Sequence, residues 1–196
     1  MAGQMISFFR EEIEKSRAAL NAVLADEHVA HTVERLVKAC VAALRRNNKI
    51  LFAGNGGSAA DAQHLAGELV NRLHFDRGGL AAIALTTDTS VLTAIGNDYG
   101  YDKVFARQVS AIGREGDVFI GISTSGRSPN ILLALQESRW KGLVTASLTG
   151  YSGAPLAALC EYCICVPSAE TPKIQEVHIV LGHVICGLIE KEMFAR

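Results

Sequence analysis

The segment Ser123-Thr124-Ser125-Gly126-Arg127-Ser128 places four hydroxyls within six residues, directly before Pro129. As the turn between a strand and a helix, it would suit a phosphate. A helix N-terminus offers free N–H groups and a partial positive charge, hydroxyls add neutral donors, and Gly126 lets the backbone curl around the anion. Ser128 before Pro129 is also ordinary N-cap chemistry. Capping accounts for one serine and leaves the other hydroxyls unexplained. Asp61, His64 and Glu68 form a second constellation, spaced i, i+3, i+7 on one helical face. A solvated face could carry them. A general base beside a metal ligand is the chemical alternative, because His64 and Glu68 at this spacing can reach one divalent cation. In the last apolar stretch, Ile174 to Ile189, the polar residues Gln175, His178 and His183 intervene. A single histidine there is commonly a satisfied core residue. Two with a glutamine point to a polar site, His183 more strongly than His178.

These groups need a frame, and the hydrophobic pattern supplies one. Apolar residues at helical spacing predict helices over 4–25 and 27–46. Continuous apolar runs predict strands at 49–53, 81–85, 117–122, 143–148 and 161–166. Helices are expected at 58–72, 89–96, 101–113, 128–139 and 172–194. Strands alternating with helices, with no polar face, imply a five-stranded parallel sheet covered on both sides, an α/β fold in three layers. Ligands in such sheets bind beyond the carboxyl ends of the strands, where the loops at 54–58 and 123–128 would lie. Residues 1–196 read as one domain. Residues 1–46 are a helical extension whose apolar faces need cover, a role for oligomerisation.

Gly54-Asn55-Gly56-Gly57-Ser58 is not a P-loop, because the Gly-Lys-Ser/Thr ending is missing. It matches the dinucleotide pattern only loosely, through Ala59, and no acidic residue ends the second strand. Composition narrows the remaining classes. The chain of 196 residues is 49% hydrophobic and 6% aromatic, with a net charge of −1 and no basic stripe, which disfavours nucleic acid. No apolar run approaches the roughly 20 residues that span a bilayer. The N-terminal segment, broken by Arg10, Glu11 and Glu12, does not read as a signal peptide, so a cytoplasmic location is expected. The five cysteines are Cys40, Cys160, Cys163, Cys165 and Cys186. An odd number argues against a disulfide framework. Cys160, Cys163 and Cys165 could suggest a metal site, but the alternating segment 161–167 reads as a strand with small buried thiols, and no second pair completes a zinc tetrahedron.

The stretches GNGGSAADAQHLAGE (54–68), LTAIGND (92–98), GISTSGRS (121–128) and TPKIQEVH (171–178) together resemble the phosphoheptose isomerases of the sugar-isomerase (SIS) domain family, and the resemblance covers nearly the whole chain. It implies a flavodoxin-like SIS fold, a homotetramer, and conversion of sedoheptulose 7-phosphate to D-glycero-D-manno-heptose 7-phosphate. That reaction begins bacterial heptose synthesis for lipopolysaccharide or capsule. On matching positions, Ser123, Thr124, Ser125 and Ser128 would hold the phosphate. Asn55, Gly56, Gly57, Ser58, Asn97, Asp98 and Gln175 would make further substrate contacts, with Glu68 among them. Glu68 and His183 would be the acid–base pair, and His64, Glu68, Gln175 and His183 a zinc site.

The residue types suit a proton shuttled between C1 and C2 through an enediol. A carboxylate can remove and return it, and an imidazole titrating near neutrality can serve the oxygens. Gln175 and His183 stand eight residues apart, roughly 12 Å along a helix axis. Helical side chains lean toward the N-terminus, so one ion would strain both. That spacing leads us to expect a site at a subunit interface, with His183 or Gln175 coming from a neighbour. The rival is a non-catalytic SIS scaffold binding a replication-initiator protein. Such a scaffold needs neither Glu68 nor His183. A sugar-phosphate-sensing domain would ordinarily carry a further module.

Overall fold

The computed structural model describes residues 2–151 and 153–194. Two helices open the chain, α1 (Ala2–Leu24) and α2 (Glu27–Arg45). Asp26 caps α2, its carboxylate accepting the N–H groups of His28 and Val29. Then follow β1 (Ile50–Gly54), α3 (Gly57–Val70), β2 (Ala82–Ala84), α4 (Thr89–Tyr99), α5 (Val104–Ile112), β3 (Val118–Ser123), α6 (Pro129–Trp140), β4 (Val144–Gly150), α7 (Ala154–Ala157), β5 (Tyr162–Val166) and α8 (Thr171–Phe194). The helix expected over 101–113 divides, a 3-10 turn at Tyr101–Lys103 preceding α5. The one-turn α7 was not legible, since four residues carry no period.

All five strands are parallel, in the order β2-β1-β3-β4-β5. This is the flavodoxin-like order, with its switch point between β1 and β3. The loops after those two strands therefore lie side by side. Alternate residues of each strand feed two cores. Ile50, Phe52, Ile120 and Ile122 face α2, α3 and α8, while Leu51, Ala53 and Phe119 face α5 and α6. Helix α2 is part of the layer, with Leu36 and Cys40 fully buried in the first core. At the opposite end of the sheet the buried Asp117 accepts the Lys49 ammonium at 2.6 Å and the N–H groups of Lys49 and Arg114, tying β1 to β3. Burial would raise its carboxyl. The bonds from Lys49 lead those that outweigh it and hold it below the usual range.

On α8, His178 is a core residue. It is fully buried, and its Nε2 faces the Thr149 carbonyl of β4 at 3.2 Å. Nε2 must carry the proton to donate there, and Nδ1 has no partner among the described residues. Burial depresses its pKa from 6.5 to about 4, the Thr149 bond opposing. The unfolded chain therefore binds this proton more readily than the folded one, so stability falls as pH drops from about 6.5 toward 4, by as much as roughly 3 kcal/mol. Chemical denaturation of His178→Gln across this range should give a flatter stability–pH curve than the parent. Parallel curves would exclude His178 as the titrating group.

Candidate active site

The phosphate-type loop begins where β3 ends. Ser123 is the last strand residue and buried, and its Oγ lies 3.0 Å from the Ser128 Oγ. Ser128 occupies the N-cap position of α6, yet its side chain accepts no helix N–H. The plain capping reading fails on that observation, because the hydroxyl turns into the loop. Gly126 has φ 65°, and a Cβ there would stand 2.5 Å from the Gly153 Cα, so the curl requires glycine. The Ser125 Oγ accepts the Arg127 N–H at 3.2 Å. Thr124 is half-buried, and its carbonyl accepts the Gly150 N–H at 3.1 Å.

The loop after β1 is locked to this one. Asn55 and Asn130 exchange two amide hydrogen bonds, of 2.9 and 2.8 Å, and the Tyr101 hydroxyl reaches the Asn55 Oδ1 at 3.3 Å. Asn130, buried at the start of α6, and Tyr101 were both missed. Asn130 follows Ser-Pro and reads as routine helix initiation, and only the side-by-side placement of the β1 and β3 loops makes it a partner. Ser58 is buried at the start of α3, not displayed in the loop.

Helices α3 and α8 run parallel. Gln175 meets Gly57, His183 meets His64, and Glu190 meets Leu73 and His74. This register places the His183 Nε2 2.8 Å from the His64 Nε2, and the His64 Nε2 3.1 Å from a Glu68 oxygen. One ligand atom from each of the three lies within 4.8 Å of the others. Two nitrogens and a carboxylate oxygen fit zinc, and three protein ligands leave a position open, as catalytic sites require. His183 thus joins the α3 pair within one chain. The Gln175 amide lies over the first turn of α3, where a Cβ on Gly57 would be 2.7 Å from its Nε2. Asp61, one turn before His64, has a buried Oδ2 with no hydrogen-bond partner among the described residues. Burial raises its pKa, with His64 opposing. Asn97 and Asp98 are exposed on α4 and bonded to each other at 2.8 Å.

Comparison with known proteins agrees with this geometry. The SIS domain family pattern matches residues 13–150. The phosphoheptose isomerase of Burkholderia pseudomallei is 54% identical over 196 residues, the whole of both chains. That of Aneurinibacillus thermoaerophilus is 55% identical over 190 residues, covering 97% of this chain and 96% of the relative. Among solved structures, the phosphoheptose isomerase GmhA from Neisseria gonorrhoeae superposes with a TM-score of 0.83 at 40% identity, covering 97% of this chain and 98% of that one. The chain belongs to the SIS-domain family, among its phosphoheptose isomerases.

Proposed function

We propose that this protein is the ketose–aldose isomerase that converts sedoheptulose 7-phosphate to D-glycero-D-manno-heptose 7-phosphate. The observation that carries the reading is the meeting of His64, Glu68 and His183 in a chain that also holds a hydroxyl-lined loop turned away from capping. A scaffold bound to an initiator protein would need neither feature.

In this reading Ser123, Thr124, Ser125 and Ser128 bind the phosphate. Asn55, Gly56, Gly57, Asn97, Asp98 and Gln175 contact the sugar, and the buried Ser58 supports the loop. The Glu68 carboxylate takes the proton from C1 and returns it to C2. His183 moves a proton between the two oxygens, its neighbour His64 keeping it oriented. Zinc, held by His64, Glu68, Gln175 and His183, would stabilise the enediolate as a Lewis acid, and as its ligand Glu68 would be a weaker base. The cytoplasm, where free thiols persist, is the expected compartment, and heptose supply for lipopolysaccharide or capsule the expected use.

A homotetramer would cover the apolar faces left open on α1 and α8. Ile6, Phe9 and Ile13 are each more than half exposed, as is Leu24, and Val180, Val184 and Leu188 line the neighbouring groove. His183 opens onto a groove it shares with Val184, Leu188 and Phe75, which favours sites at subunit interfaces.

Purified protein should turn over sedoheptulose 7-phosphate, lose activity to a chelator and regain it with zinc. Glu68→Gln should lower turnover by about 10²- to 10⁴-fold while the assembly stays intact. Retained activity would remove Glu68 from the base role. Each hydroxyl–phosphate bond contributes about 1.5–3 kcal/mol, so Ser123, Ser125 and Ser128 changed together to Ala should raise KM by roughly 100-fold or more. An unchanged KM would sink the phosphate assignment. Sedimentation of a Phe9→Glu, Ile13→Glu variant should show a smaller species than the parent, and an unaltered mass would place the interface elsewhere.

A further inference from the structure

The expectation of buried thiols on the fifth strand does not hold. Cys165 is exposed, and Cys160 and Cys163 are half-buried. The cause lies in the sheet. β5 is an edge strand, and Ile164 and Val166 point into the core shared with α2 and α8. Cys163 and Cys165 point to the other face, where the adjoining helix α7 is a single turn. Thiols placed there are accessible.

They are also gathered. The Cys163 and Cys165 sulfurs stand 3.7 Å apart. The buried Ser147, opposite Cys163 on β4, donates its hydroxyl to the Cys163 Sγ at 3.3 Å. Two neighbouring thiols thus sit together on the open face, one of them bonded to the Ser147 hydroxyl. Two thiolates on a tetrahedral ion with Zn–S bonds near 2.3 Å lie about 3.8 Å apart. The Cys163–Cys165 separation matches that edge without movement. A disulfide would instead require the sulfurs to close to about 2.05 Å between positions i and i+2 of one extended strand.

We propose that Cys163 and Cys165 form a two-thiolate site for a soft, thiophilic cation such as Cu(I), Zn(II) or Cd(II), separate from the His64–Glu68–His183 cluster. Cys163 and Cys165 chelate the cation through their two sulfurs, and solvent fills its remaining positions. Thiolates select soft cations, whereas two imidazoles and a carboxylate suit borderline ones. Both sulfurs bind the cation as thiolates. Cation binding displaces the remaining thiol protons to solvent, and affinity rises with pH.

Cadmium is the probe. Added to the reduced full-length protein, Cd(II) should produce an ultraviolet thiolate-to-metal charge-transfer band that saturates at one ion per subunit. The nitrogen and carboxylate ligands of the other cluster cannot generate that band. Cys165→Ser, at an exposed position, and Cys163→Ser should each weaken Cd(II) binding roughly 10-fold or more, since even outer-shell changes cost that much. Isomerase turnover without added cadmium should be unchanged in both, and their melting temperatures should stay near the parent's. Three results would overturn the site: no charge-transfer band, a band that persists when Cys163 and Cys165 are both serine, or a Cys163–Cys165 disulfide in the protein as purified.

Discussion

The parallel register of α3 and α8 is the constraint on which the site depends. His64 and Glu68 are fixed relative to each other by a single helix, but His183 reaches them only if α8 lies at one particular axial offset. A buried ion pair holds that offset. Glu190, fully buried on α8, accepts the N–H groups of Leu73 and His74 just beyond α3 and pairs with Arg77 at 3.0 Å. Arg77 then returns to α3, donating to the carbonyls of Glu68 and Leu69. Burial would raise the Glu190 carboxyl, yet the Leu73, His74 and Arg77 bonds outweigh it and keep the group ionised. Every charge in the clamp has partners. Removing either member would strand the other in the interior, which ordinarily costs 3–5 kcal/mol, roughly.

A second tie joins the substrate loops. The reciprocal Asn55–Asn130 amide pair fixes the loop after β1 to the start of α6, so the hydroxyl loop between β3 and α6 is held by its neighbour as well as by its own turn. Such preorganisation matters because donors already aimed at an anion need no rearrangement when it arrives. The phosphate grip and the acid–base cluster thus hang from β1 and β3 at the switch point, with α8 closing the cluster from the other end of the sequence.

How much of this was legible follows from what each feature depends on. The strands were readable because both faces are buried, which leaves continuous apolar runs such as 118–122. The hydroxyl loop and the His64–Glu68 pair were readable because each is local: one turn, one helix face. His183 was flagged by its odd place in an apolar stretch, and its company with His64 and Glu68 came from the family resemblance. The eight-residue gap to Gln175 suggests a neighbouring subunit for one of the two, and the parallel register brings His183 to His64 within the chain. Asn130, Tyr101 and the Arg77–Glu190 clamp span 75, 46 and 113 residues to their partners, distances over which no spacing rule operates. The exposure of Cys165 was hidden for a related reason. Alternation says which residues share a face, and only the sheet order and the one-turn α7 say how thinly that face is covered.

The central claim is that one substrate is held at two ends, phosphate in the 123–128 loop and C1–C2 at Glu68 and His183. A crystal structure of Glu68→Gln with sedoheptulose 7-phosphate tests it most directly. The account predicts phosphate oxygens within hydrogen-bond reach, about 2.7–3.2 Å, of the Ser123, Ser125 and Ser128 hydroxyls, with C1 and C2 beside residue 68 and the His183 imidazole. A phosphate bound away from that loop, or reacting carbons remote from both residues, would contradict it.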